Sequence, residues 1–192
     1  MLGDDLVDLG DPEVRPGASH PRFDARVFAA SERAWLDASE APGLARWSLW
    51  AAKEAAYKRA RRLDPAARFH PRRFVVALEP DGRRGRVDGP GGEARVRLER
   101  EGDALHAVAF GSPAEEPRIA RGVAGLAAGE DPSLAARALA LRRCAERLGA
   151  RADELRVDRE ERIPALRLPD GRSLALSLSH HGRFVAFAGA LA

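Results

Sequence analysis

The chain has 192 residues, with 32 Lys or Arg against 29 Asp or Glu, a formal net charge of +3, 45% hydrophobic and 32% charged residues. That length gives one large domain or two small ones with a real core, and so mild a charge balance argues against a nucleic-acid binder while suiting a phosphate-rich ligand or an acidic partner. A single cysteine, Cys144, rules out an intramolecular disulfide framework, no apolar run approaches a membrane span, and Met1-Leu2-Gly3-Asp4-Asp5 lacks the basic and apolar regions of a signal peptide, so the expected location is the cytoplasm.

Residues 2–9 alternate apolar and acidic positions and predict a short strand. A Gly/Pro-rich loop follows over 10–21, then helical character from Phe23 to about Asp37, with Ser31 as an internal cap. Pro42-Gly43 breaks the chain before a strong helix from about Leu44 to Leu63. From Arg72 the period changes to two. Phe74–Leu78, Ala94–Leu98 and Ala104–Phe110 predict strands separated by Gly/Pro turns. Residues 112–117 read as a linker, followed by a polar lead-in and a helix over about Pro132–Leu148 stopped by Gly149. Strands at 154–158, 165–168 and 174–178 precede the terminal Arg183–Gly189 stretch. Each half is helix first and meander last, and Leu105–Gly111 faintly repeats in Phe184–Gly189. The fold class expected is α+β: two similar modules, 1–111 and 118–192, each a helix-rich segment with a small antiparallel sheet, packed as a pseudo-dimer with a site in the crevice between them.

Only two of the basic residues are lysines, Lys53 and Lys58, and both lie in Trp50-Ala-Ala-Lys53-Glu54-Ala-Ala-Tyr57-Lys58. A chain that otherwise writes positive charge as Arg keeps Lys where a compact ammonium is needed. Glu54 and Lys58 are i,i+4 and share a helix face; they read either as a helix-stabilising pair or as a carboxylate metal ligand beside an ammonium that meets phosphate. On the predicted strand Asp5 points away from Asp4 and Asp8 and is flanked by Gly3 and Val7, so it needs a partner such as Mg²⁺, unless it is an edge-strand charge. Ser177-Leu178-Ser179-His180-His181-Gly182-Arg183 ends a strand in groups able to present N–H, hydroxyl and imidazole to an anion.

These three stretches together resemble the 4′-phosphopantetheinyl transferase superfamily. Trp50–Lys58 is similar to its W-x-x-K-E-x-x-x-K signature, Gly3–Leu9 to the G-x-D-[IL]-V-[ED]-[IL] opening of the small acyl-carrier-protein synthase type, and Ser179–Val185 to the S-H-S-G-R-[WF]-V segment of the larger surfactin-synthetase-activating type. In the larger type the S-H-x-G-R stretch precedes the G-x-D opening; here it follows. The chain therefore resembles a circularly permuted two-module member. The shorter trimeric type, in which the order is not permuted, is the rival.

The resemblance implies Mg²⁺-dependent transfer of the 4′-phosphopantetheine arm of coenzyme A to a serine of an apo acyl or peptidyl carrier protein, releasing 3′,5′-ADP. Asp5 and Glu54 would hold the metal; Glu54 and Lys58 would be catalytic. Lys53, Lys58, Arg137, Ser179 and His180 would bind the coenzyme. No nucleic acid or membrane partner is implied. Two departures stand out: Glu161-Arg162-Ile163-Pro164 replaces a G-K-P segment, leaving open whether Arg162 substitutes for its lysine, and Val7 stands where a second acidic residue is usual. A catalytically silent coenzyme-A or carrier-protein binding module is the alternative.

Overall fold

The computed structural model describes residues 1–18, 20–160 and 163–191. Strand β1 (Gly3–Asp8) is followed by two short helices, α1 (Phe23–Val27) and α2 (Ala30–Asp37), and the long α3 (Pro42–Leu63). Strands β2 (Val75–Leu78), β3 (Arg84–Asp88), β4 (Ala94–Glu101) and β5 (Ala104–Phe110) complete a first antiparallel sheet of order β1-β5-β4-β3-β2. The second half runs β6 (Ile119–Gly125), α4 (Pro132–Leu148), β7 (Arg156–Glu160), β8 (Ile163–Arg167), β9 (Ser173–His181) and β10 (Phe184–Ala190), giving β6-β10-β9-β8-β7. The halves share one topology: an opening edge strand, a long helix, and a meander whose last strand pairs with the first.

The pleat assigns every face. Val7, Leu105, Ala107 and Ala109 meet the alanine-rich side of α3, including Ala52, Ala55 and Ala56. Leu176, Val185 and Phe187 meet Ala136, Leu139, Ala140 and Cys144 of α4. The opposite faces of the two sheets meet each other through Leu2, Val108 and Phe110 against Ile119 and Ala188, and through Leu6 and Ala104 against Ala186. Cys144 is buried and its thiol is pushed up to about 12 by desolvation, as an inert core residue should be. No described helix is long and apolar enough to cross a membrane.

Several expected elements are corrected. The helix expected over 23–37 is two helices, because Phe28 is extended (φ −105°, ψ 141°). Glu32, not Ser31, caps the second: its carboxylate accepts the Ala29 N–H at 2.6 Å. Pro42 does not end a segment but opens α3 at a first-turn position where its missing N–H costs nothing. The polar lead-in contains β6, whose Ile-Ala-Arg-Gly-Val-Ala-Gly sequence has too little β-branched or aromatic character to announce itself. The linker is ordered, with a 3₁₀ turn over Pro113–Arg118. Gly149 does stop α4, in the left-handed region at φ 65°.

Candidate active site

Strand β1 brings the acidic cluster between the two sheets and α3. Gly3 lies so close to the helix that a Cβ there would collide with Ala55 O, Arg59 N and the Lys58 carbonyl carbon. This close approach sets the next outward residue on the same face, Asp5, beside α3. Lys58 Nζ donates to Asp5 Oδ1 at 2.9 Å. Glu54, one turn earlier, lies near enough to Asp5 for repulsion: desolvation first and Asp5 second push its carboxyl up to about 7, against the opposing pull of Lys58. Burial likewise raises the Asp5 carboxyl, more than Lys58 lowers it. The Lys58 ammonium is raised, because Asp5, Asp4 and Glu54 outweigh its burial.

Glu54, Lys58 and Arg62 follow one another at one-turn intervals along α3, and Arg62 reaches the second half of the chain. Arg62 Nη2 donates to Pro164 O at 3.0 Å and also to Leu176 O. Pro164 belongs to the rim of a cleft of about 200 Å³ whose lining includes Ser133 and Arg137 of α4, Arg159, and the Leu178–His180 stretch of β9. Arg137 and His180 are thus brought together, at the first turns of a helix whose N-terminus favours anions. Arg137 Nε is buried without a hydrogen-bond partner among the described residues, the kind of orphan a bound phosphate would satisfy. A larger cavity, about 500 Å³, lies at the other end of α3 among Trp35, Ser48 and Leu98 and contains none of these residues.

Two expected ligands are engaged by buried carboxylates of the protein itself. Lys53 is wholly buried; its ammonium sits 2.7 Å from the Glu32 carboxylate, donates to Pro71 O at 3.1 Å and to Phe74 O, and is thereby unavailable to a coenzyme. Burial pulls its pKa down while Glu32 opposes. Ser179 is also buried, its hydroxyl donating to Asp4 Oδ2 at 2.6 Å. The pleat explains this, since Ser179 pairs with Ala186 on the inter-sheet face while His180 pairs with Val185 on the α4 face. Arg162 lies outside the described residues.

A family model of the 4′-phosphopantetheinyl transferase superfamily matches residues 1–109, more than half of the chain. The chain belongs to this superfamily. Among solved structures it is similar to the holo-[acyl-carrier-protein] synthase from Neisseria meningitidis, 20% identical over 57% of this chain and 97% of that one, with a TM-score of 0.43. It is also similar to an apo-ACPS from Chronobacterium ammoiniagenes, 23% identical over 57% and 93%, with a TM-score of 0.41. No curated protein matches. Membership in the transferase superfamily makes phosphopantetheinyl transfer, with coenzyme A as donor and a carrier protein as acceptor, the activity class of this fold.

Sequence reasoning missed how this transferase uses Asp4 and Asp8. Both are buried. Asp4 also meets His106 Nε2 at 3.0 Å. Asp8 binds Arg183 through Nε at 2.8 Å and Nη2 at 2.6 Å, which holds its carboxyl well below the usual range. The outward N–H groups of the edge strand are covered as well, Asp4 N donating to Ser177 Oγ at 3.0 Å and Asp8 N to His181 Nδ1 at 2.9 Å. The legible signal was period two: Ser177, Ser179, His181 and Arg183 are alternate polar residues, and Asp4 and Asp8 share one face of their strand, so the two strands could face each other through them.

Proposed function

We propose that the chain transfers the 4′-phosphopantetheine arm of coenzyme A to a serine hydroxyl of an apo carrier protein. The observation that carries this reading is the grouping of Asp5, Glu54 and Lys58, with Arg62, one turn further along α3, reaching Pro164 in the lining of the cleft that holds Arg137 and His180. Arg137, with its orphaned buried Nε, and His180 bind phosphate oxygens of the coenzyme; Lys58 adds positive charge beside the pyrophosphate. The serine oxygen forms a bond to the phosphorus bearing the pantetheine arm. The bond from that phosphorus to the bridging oxygen breaks, and 3′,5′-ADP leaves with the bridging oxygen. Glu54 would accept the serine proton, directly or through a water.

The donor set also fits a divalent cation. Two carboxylates from different elements repel each other in a desolvated place, which is the setting a hard cation relieves. Asp5 and Glu54 would hold Mg²⁺, and when bound it would supply neutralising charge at the pyrophosphate. Among the described residues there is no group of three or more His, Cys, Asp or Glu that could hold a metal, so Asp5 and Glu54 would bind it with water and substrate oxygens as further donors.

The chain order fits residues 1–111 and 118–192 as two modules in permuted order. Supporting this, the two sheets share a strand order, and the S-H-H-G-R segment begins on β9 and runs into the turn after it, in the opposite half from Asp5. The test is purified protein with apo carrier protein, coenzyme A and Mg²⁺, read by intact mass. A phosphopantetheine-sized increase on the carrier serine, absent with Glu54→Gln, is expected; coenzyme binding without transfer would overturn the enzymatic reading.

A further inference from the structure

We propose that Asp4 is a positioning residue that joins the acid-bearing strand to the anion-binding strand, with Ser179 as its partner and His106 as its support. The proposal rests on the reading above and deepens it. Asp4 precedes Asp5 in the chain and Ser179 precedes His180, so one 2.6 Å hydrogen bond links the backbone carrying a proposed metal ligand to the backbone carrying a proposed phosphate ligand.

No backbone ladder among the described residues makes that link, since strands β1 and β9 belong to different sheets. Their relative register near Asp5 is held by side chains: Asp4 N–H to Ser177 Oγ, Ser179 Oγ–H to Asp4 Oδ2, and His106 Nε2 against the same oxygen at 3.0 Å. Arg183 and His181 repeat the arrangement at Asp8, the far end of β1.

A purely architectural role would not select an aspartate. Leu2 and Leu6 flank Asp4 on the same face and fill their places against the second sheet with apolar contacts. Asp4 is 0% exposed, and its Oδ1 is buried with no hydrogen-bond partner among the described residues. An apolar residue of similar volume would avoid that desolvation. What the carboxylate adds is direction: a charged acceptor fixes two donors, one from β5 and one from β9, at defined angles. It also determines what Ser179 can do, since the single hydroxyl proton goes to Asp4 and not to a ligand.

The experiment is a double-mutant cycle on Asp4→Asn and Ser179→Ala, measuring kcat and KM for coenzyme A in the full chain with the carrier-protein assay. Each single variant should lower kcat/KM by roughly tenfold or more, mainly through kcat, because the carboxylates are misplaced against a coenzyme that still binds. The double variant should be no worse than the more damaged single one. Multiplying effects, or singles within twofold of wild type, would overturn the proposal, since Ser179 would then act on the coenzyme by itself or not at all. Nuclear magnetic resonance gives a readout independent of activity: His106 should show a downfield, slowly exchanging Nε2 proton that moves upfield in Asp4→Asn. Its absence from the wild-type protein would also overturn the proposal. If wild type makes no holo-carrier protein, the functional reading fails alone, and the His106 proton signal in wild type and Asp4→Asn still decides whether Asp4 holds His106.

Discussion

Replacing Glu54 by Gln should abolish transfer and at the same time stabilise the metal-free protein above neutral pH. The Glu54 carboxyl is held at about 7 against an ordinary value of 4.5, by desolvation and by Asp5. A carboxyl raised on folding binds more protons in the native state than in the unfolded one. Stability is therefore lost as pH rises from about 4.5 to 7, and the loss is complete above that window. A displacement of that size corresponds to about 3 kcal/mol of strain at pH 8, and to just under about 1 kcal/mol at pH 5. Glutamine keeps the shape and removes the charge, so chelator-treated Glu54→Gln should melt about 6–12 °C higher than wild type at pH 8, and only about 2–3 °C higher at pH 5. Added Mg²⁺ should raise wild type more than the variant, because a cation that binds the folded form stabilises it. Differential scanning calorimetry at the two pH values, with and without metal, makes the comparison. A variant that melts at or below wild type at pH 8, or a difference that does not shrink at pH 5, would refute the argument that Asp5 and Glu54 repel each other in a desolvated site.

Lys53→Met should destabilise the fold by about 3–5 kcal/mol, because it leaves Glu32 buried and unpaired; in denaturant titrations Glu32→Gln added to it should recover part of the loss. Gly3→Ala should lower both stability and transfer, since a methyl group there meets the α3 backbone and drives β1, with Asp5, away from Glu54 and Lys58; unchanged kcat/KM would show that this contact does not place Asp5. Glu99 joins β4 to β6 through Arg121 and also meets Arg97, which together hold its carboxyl at about 2, the Arg121 hydrogen bond contributing most. A depressed carboxyl stabilises above the unfolded pKa, so the difference between wild type and Glu99→Gln should fade as pH drops from about 4.5 towards 2. With the Glu99 side chain 42% exposed, that difference should be only about 1 kcal/mol, read from urea midpoints.

What the sequence made legible was local. Glu54 and Lys58 are i,i+4 on an uninterrupted helix, so their common face follows from helical geometry alone, and the long α3 and α4 follow from the same periodicity. Lys53 shows where adjacency misleads. Its true partner, Glu32, lies 21 residues away on another helix. The warning was its stripe: Leu49, Lys53, Ala56 and Ala60 recur at helical spacing, and a lysine in an apolar stripe needs a buried counter-charge. Ser179 and His180 were treated as a unit because they are neighbours, yet a pleat sends neighbours to opposite faces. Strand β6 stayed hidden because small residues pack well between two sheets while carrying almost no propensity signal.

The shared topology of the two halves has a consequence for symmetry. An assembly of identical subunits repeats every residue in each copy, so all its sites are alike, and it comes apart on dilution. Here the counterpart of the acidic strand β1 is β6, Ile-Ala-Arg-Gly-Val-Ala-Gly, which contains no acid at all. Joined in one chain, one half is free to specialise in carboxylates and the other in cations, giving a single unequal crevice. The linkage also fixes the local concentration of each half around the other, so dilution cannot separate them.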